Sequence, residues 1–303
     1  MKIFLTGATG YIGSAVAEKL RAKRFEVVGL ARSEEAETKL NANGIDALRG
    51  DLNDLESLTR GAKKADAVIH TAFVHDFADY DSAVETETAA IAAFADALAG
   101  TNKPFIATTG SAFLGDTGEN VADEDYPADR NSPFFARSEA EANILRMSAK
   151  GVRNVVLRLP LFVYGRGGSS FVPFLIEQAK GAGAANYLDA GAKKVSALHV
   201  EDAADLYVLA LETSTAKGLY NVAAETVSLK DLNESVARLL NIEAKRVSAE
   251  ELEKQFGAMM FGFLSIANQL SAEKARRDLR WRANANKTIT DDIENGSYRK
   301  YKD

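Results

Sequence analysis

Residues 6 to 13 read Thr-Gly-Ala-Thr-Gly-Tyr-Ile-Gly, between an apolar run, Lys2 to Thr6, and a stretch, Tyr11 to Arg24, whose apolar residues recur at helical spacing. A strand that turns into a helix over so few residues needs backbone freedom and close approach, and glycine supplies both. Gly7 permits the tight turn, Gly10 lets main chain approach a pyrophosphate, and Gly13 lets the helix pack on the strand. The helix start adds unpaired N–H groups and a partial positive charge. Gly7, Thr9, Gly10, Tyr11, Ile12 and Gly13 are therefore candidate contacts for a dinucleotide, with GxxGxxG spacing in place of GxGxxG.

Further short apolar runs follow at Glu26 to Leu30, Ala67 to His70, Phe105 to Thr108 and Val155 to Leu159, alternating with helical stretches at Ser82 to Leu98 and Phe134 to Lys150. Near-continuous apolar strands separated by helices predict a Rossmann-type α/β fold, a doubly wound parallel sheet covered on both faces. From about Gly165 the pattern loosens through the bend GRGGSS. Residues 1–164 are read as the dinucleotide-binding core, and 165–303 as mainly a smaller C-terminal substrate lobe with some segments returning to the core.

The second strand ends in Ala31-Arg32-Ser33. An Asp or Glu at this place would accept from a ribose 2′-hydroxyl. Arg32, with Ser33 beside it, favours a 2′-phosphate through a charge-assisted bond, and hence NADP(H) over NAD(H). The alternative for Arg32 is a surface pair with Glu34 or Glu35.

Composition narrows the chemistry. The 303 residues carry 37 Lys plus Arg against 43 Asp plus Glu, a net charge of −6 with no long basic run, so neither nucleic acid nor an anionic membrane is an expected partner. With no cysteine and three histidines (His70, His75, His199), no metal site is expected. No apolar run is long enough to span a membrane, and the N-terminus lacks a leader-like pattern, which makes the cytoplasm the expected compartment.

These residues carry a resemblance to the short-chain dehydrogenase/reductase superfamily, in its extended or atypical epimerase/dehydratase-like branch. Thr6 to Gly13 resembles that branch's TGxxGxxG turn, Gly50-Asp51-Leu52 its GDL near the adenine, and His70-Thr71-Ala72, followed by Phe73, its HxAA segment. Arg158-Leu159-Pro160, then Phe162 and Val163-Tyr164-Gly165, resembles the R-x-P…VYG element beside the nicotinamide. Leu198 to Asp202 resembles HVxD, and Tyr220-Asn221-Val222 resembles YNV. The resemblance implies cofactor contacts from Asp51, Leu52, Thr71, Ala72, Phe73, Pro160 and Phe162.

The same resemblance exposes a departure. The superfamily uses a Ser or Thr with a YxxxK pair, the Tyr as proton donor or acceptor and the Lys as its activator. Here Phe135 falls at the Tyr and Glu139 at the Lys, and a phenyl ring donates no proton. Gly110 falls at the usual hydroxyl, leaving neighbouring Ser111 and Thr109 as candidates to polarise a carbonyl, or else as strand-end caps. Tyr164, His75 or a water chain are the candidate proton sources. Arg137 or Glu139 is a candidate ribose contact, the plainer reading being an ion pair within the helix, such as Arg137 with Glu141.

The expected activity is an NADPH-dependent reduction of a ketone or aldehyde, a small-molecule carbonyl substrate. A nucleotide-sugar epimerase or dehydratase, and a non-catalytic NADP(H) sensor or regulatory protein, are the alternatives. The aromatic and Met residues Phe171, Phe174, Met259, Met260, Phe261 and Phe263 read as a pocket wall or as lobe core. The alanine-rich helix Ser82 to Leu98 resembles a family dimer helix, so either a monomer or a homodimer is expected.

Overall fold

Lys2–Thr6 is an interior strand of a sheet buried on both faces: Ile3 and Leu5 point to one side and Phe4 to the other, and all three are inaccessible to solvent. The structure, a computed structural model, describes residues 1–74, 79–188, 193–284, 286 and 288–302. In chain order its first half comprises β1 (Lys2–Thr6), α1 (Tyr11–Ala22), β2 (Glu26–Ala31), α2 (Glu34–Ala42), β3 (Asp46–Arg49), α3 (Leu55–Lys64), β4 (Ala67–His70), α4 (Tyr80–Leu98), β5 (Pro104–Gly110), β6 (Val121–Ala122) and α5 (Arg137–Arg146). There follow β7 (Arg153–Leu159), β8 (Phe162–Tyr164), α6 (Phe171–Ala182), β9 (Ala184–Leu188), β10 (Lys194–His199), α7 (Val200–Glu212) and β11 (Gly218–Asn221). The chain closes with β12 (Glu225–Ser228), α8 (Leu229–Leu240), β13 (Glu243–Val247), α9 (Ala249–Phe256), α10 (Ala258–Leu264), β14 (Gln269–Leu270), α11 (Glu273–Asp278) and α12 (Ile289–Asn295).

The seven-stranded sheet runs β11-β7-β5-β4-β1-β2-β3, every pair parallel. The strand order reverses between β1 and β4, which opens a crevice at their carboxyl ends, where folds of this kind take ligands. On one face α1 and α7 cover Leu5, Ile69, Ile106 and Leu157. On the other, α3, α4 and α5 bring Leu58, Phe94 and Ile144 onto Phe4, Phe105 and Val156. The predicted parallel α/β architecture is the observed one. Two edge strands escape the periodicity: β3 is only half-buried, and β11 reaches the sheet from beyond residue 200.

A third core lies over the carboxyl ends of the strands. It packs Phe162, Tyr164, Ile176, Leu232 and Tyr298 around the small sheet β12-β10-β8, and takes Phe113 and Leu114 from just past β5. The segment between β5 and α5 is therefore shared by both halves. It roofs the crevice.

Candidate active site

The turn after β1 is built from backbone. Gly7 has φ +74°, and a Cβ there would lie 2.7 Å from the Thr71 hydroxyl. A Cβ on Gly13 would sit 2.0 Å from the Gly7 carbonyl oxygen, so helix and turn touch at a distance no side chain allows. Gly10 caps α1 without any side-chain hydrogen bond, and its N–H donates to the Gly7 carbonyl at 2.9 Å. The Thr71 hydroxyl donates to the Thr6 carbonyl at 2.8 Å, and the Thr6 hydroxyl and His70 Nδ1 are hydrogen-bonded at 2.7 Å. These bonds lock the ends of β1 and β4 together beneath the crevice.

The crevice opens into a cleft of about 810 Å³. Along its first part lie Gly7, Thr9, Gly10, Tyr11, Ile12, Gly13, Arg32, Asp51, Leu52, Thr71, Ala72 and Phe73, and Pro160 faces it from the end of β7. Arg32 is exposed and, among the described residues, pairs with neither Glu34 nor Glu35 nor any other acid. Ser33 caps α2, its hydroxyl accepting from the Ala36 N–H at 3.2 Å. Asp51 uses one carboxylate oxygen to accept from the N–H groups of Asn53 and Asp54. Lys39 reaches back from α2 to donate to the Thr9 carbonyl at 3.0 Å.

Phe162 does not join this set. It is fully buried in the third core, edge-on to Phe171, while its neighbours Leu161 and Val163 face the cleft. The physical reason is strand alternation: in β8 successive side chains point to opposite faces.

At the far end of the cleft the polar groups of β5 are already engaged. Thr108 meets the Tyr207 hydroxyl at 2.6 Å. The Thr109 hydroxyl donates to Glu141 at 2.8 Å, and the Ser111 hydroxyl donates to the side-chain oxygen of Asn268 at 2.6 Å. Both Thr109 and Ser111 are 1% exposed. Each hydroxyl has one proton, and in this structure neither points it into the cleft, contrary to the expectation that they polarise a carbonyl.

Glu141 is held by Arg158 through two bonds, one at 3.0 Å to Nε and one to Nη2, and Arg158 also donates to Asn221 at 3.1 Å. The arginine of the R-x-P segment thus ties β5, α5, β7 and β11 together. Tyr164 is likewise turned from the cleft, donating to Glu225 at 2.6 Å, with burial and that carboxylate holding its hydroxyl well above the usual range. His199 caps α7, its Nδ1 accepting from the Glu201 N–H at 3.2 Å. His75 lies outside the described residues.

The residues at the expected Tyr and Lys positions go elsewhere. Glu139 is exposed and pairs with Arg146, and Phe135 is 36% exposed, off the cleft, while Phe134 turns in. Arg137 enters the cleft and is clamped by Glu87 of α4, Nε at 3.1 Å and Nη2 at 3.0 Å, with its guanidinium carbon 3.9 Å from the centre of the Phe73 ring. Burial is the largest single influence and works against the charge on Arg137, but Glu87, with smaller help from Tyr80 and Glu141, holds the guanidinium protonated. Tyr80, at the start of α4, lines the same space with Phe113, Leu161, Phe171 and Phe263. Phe171 and Phe263 stack at 4.2 Å, whereas Phe174 packs away on Phe256.

No motif marks Tyr80 or Glu87 in the sequence. A signal was present: Glu87 lies on the buried stripe of α4 with Val84, Ile91 and Phe94. A carboxylate there demands a partner.

A second anchor shapes the cleft rim. The Tyr11 hydroxyl donates to the Gly165 carbonyl at 2.8 Å, and Tyr298 accepts from the Gly165 N–H and donates to the Gly168 carbonyl. The glycine-rich bend 165–168 is thereby fixed against α1, and Ser169 and Ser170 after it border the cleft. Among the described residues no group of acids and histidines could hold a metal ion, and no helix is long and apolar enough to cross a membrane.

Comparison with known proteins adds a family. The model of the NAD dependent epimerase/dehydratase family matches residues 3–223. An uncharacterised protein of Schizosaccharomyces pombe is 39% identical over 96% of this chain and 98% of its own length. One of Saccharomyces cerevisiae is 44% identical over 62% of this chain and 63% of that protein. A 4-hydroxy-2-methyl-3-oxo-4-farnesyl-3,4-dihydroquinoline-1-oxide ketoreductase of Stigmatella aurantiaca is 30% identical over 58% of this chain and 54% of its own. Among solved structures, a UDP-glucuronic acid 4-epimerase from Bacillus cereus, in complex with UDP-glucuronic acid and NAD, superposes with a TM-score of 0.77 at 18% identity over 99% of both chains.

Proposed function

Because this chain belongs to the NAD dependent epimerase/dehydratase family, we propose that its cleft takes a nicotinamide dinucleotide, NADP(H) in preference to NAD(H), and reduces a ketone or aldehyde on an apolar body to the alcohol. The residues fit the cofactor: the glycines let strand, turn and helix close to distances that a Cβ on Gly7 or Gly13 would forbid, and α1 presents an uncapped N-terminus to the cleft. Gly7, Gly10 and Gly13 with Thr9 would hold the pyrophosphate, Asp51 and Leu52 the adenine side, Arg32 and Ser33 a 2′-phosphate, and Thr71, Ala72, Phe73 and Pro160 the nicotinamide side. When bound, the reduced nicotinamide supplies a hydride.

One observation carries the choice of substrate, the contrast in charge along the cleft. Arg32 stands at one end with no acid partner among the described residues. At the other the wall is Phe73, Tyr80, Phe113, Phe134, Phe171 and Phe263, and the charge of Arg137 is already answered by Glu87. A nucleotide sugar brings a second diphosphate that needs cations of its own. Among the described residues lining the cleft, Arg32 and Arg137 are the cations. Phe135 and Glu139 at the Tyr and Lys positions also remove the base that sugar oxidation calls for. The ketoreductase relative supports the same reading.

The test is NADPH consumption, with product identification, across aryl and alkyl ketones and aldehydes and across UDP-glucose and UDP-glucuronic acid. Alcohol from the apolar carbonyls and no conversion of the sugars is the expected outcome. Nucleotide binding with no turnover on any carbonyl contradicts it and favours the sensor.

A further inference from the structure

Reduction of a carbonyl needs a donor for the developing alkoxide and a proton to quench it. Every hydroxyl at the end of β5 is spent on Tyr207, Glu141 or Asn268. Between them Gly110 carries no side chain, and beyond its chain neighbours the one atom within 4 Å of a Cβ built there is Nη1 of Arg137, at 3.9 Å. The missing side chain therefore opens the strand end onto the guanidinium. Glu87 occupies Nε and Nη2 of Arg137, and among the described residues nothing engages Nη1. This nitrogen is a fixed, charged donor whose hydrogens no described residue takes.

Tyr80 shares a packing partner with Arg137. Its ring lies edge-on to Phe73 at 6.0 Å and to Phe134 at 5.5 Å, so the ring that carries Arg137 on its face also positions Tyr80. The tyrosine is 9% exposed, lines the cleft, and its hydroxyl has no hydrogen-bond partner among the described residues. Burial raises its pKa and Arg137 opposes the rise, so the phenol keeps its proton at neutral pH while a phenolate there has a counter-charge.

Resting on the reductase reading above, we propose that Arg137 and Tyr80 are the catalytic residues of this site: Nη1 of Arg137 binds the carbonyl oxygen, and the Tyr80 hydroxyl delivers the proton. The hydride forms the new C–H bond, the C=O π pair moves to oxygen, and that oxygen takes the Tyr80 proton. The O–H bond pair remains on the phenolate beside Arg137 until solvent returns a proton. The carbonyl is reduced and the nicotinamide oxidised. Glu87 is a positioning residue, aiming Nη1.

Two variants of the full chain test this. Tyr80→Phe keeps the ring packing and removes only the hydroxyl; kcat on an apolar aryl ketone falls about 10²–10³-fold with nucleotide affinity unchanged. Arg137→Gln combined with Glu87→Gln strands no buried charge. Titration calorimetry with benzoate, an aromatic carrying an anionic oxygen, shows at least about tenfold weaker binding to this double variant, and this readout needs no turnover. If ketones are reduced and Tyr80→Phe is undiminished, or if benzoate binds the double variant as it binds the unsubstituted chain, the assignment is overturned. If the unsubstituted chain reduces nothing yet holds benzoate through Arg137, the reductase reading falls and takes the Tyr80 proton transfer with it, while the anion seat stands.

Discussion

At one end of the cleft the groups facing inward are largely main chain: the Gly7 turn, the uncapped start of α1 and the ends of β1 and β4. At the other end they are side chains brought by separate elements, Tyr80 and the Glu87 clamp from α4, Arg137 from α5, Phe171 from α6 and Phe263 from α10. A cradle made of backbone has one solution and tolerates no added methyl. A wall made of side chains can be rebuilt residue by residue while the backbone stays. That difference explains how a chain keeps a family's nucleotide turn and yet carries Phe135 and Glu139 where the family's working pair would be.

The contrast can be broken at several points. The largest effect is expected beneath the side-chain end: Glu141→Ala leaves Arg158 buried without its partner, and denaturant unfolding should show a loss of about 3–5 kcal/mol. The matching change at Glu139, two residues earlier but exposed, is the internal control.

His70 lies between the two ends, buried against Phe94 and Phe105, and burial lowers its pKa to about 4 from the ordinary 6.5. Below pH 6.5 the unfolded chain binds a proton that the folded chain refuses, so stability from this group is full above 6.5, falls toward 4 and then levels off. The difference in unfolding free energy between the unsubstituted chain and His70→Asn should therefore shrink by up to about 3 kcal/mol over that window. A flat difference would show that the imidazole is reached by solvent.

At the backbone end, Gly13→Ala forces a methyl to 2.0 Å from the Gly7 oxygen. The turn must move, at a cost of about 1–3 kcal/mol, and nucleotide affinity should fall with it, read by calorimetry. Arg32→Ala is a subtler change. It should erase a preference for NADPH over NADH of about tenfold, roughly 1.4 kcal/mol, without altering the fold. An unchanged ratio would remove Arg32 from phosphate recognition. Smallest of all, Glu139→Ala should shift stability by less than about 0.5 kcal/mol and leave turnover intact, since its pair with Arg146 is solvent-exposed.

The backbone end was legible in the residues because its requirements are local. Glycines at fixed spacing between an apolar strand and an amphipathic helix have few other uses, and Arg32 follows the very next strand. The side-chain end depends on contacts between distant segments: Arg137 meets Glu87 from 50 residues away, and Ser111 meets Asn268 from 157. No periodicity encodes those meetings. Helical spacing suggests an Arg137 pair with Glu141, but Glu141 faces Arg158; and the motif that puts Phe162 at the cleft gives sequence position without saying which face of β8 each residue takes.

The proposed activity is transfer of hydride from nucleotide to carbonyl carbon, and labelled cofactor tests that without intermediaries. With NADPH carrying deuterium at the transferring position of the nicotinamide and an apolar aryl ketone, the alcohol product should contain one deuterium on the carbinol carbon. Alcohol formed without the label, or ketone recovered unchanged from a chain that binds the nucleotide, would contradict it.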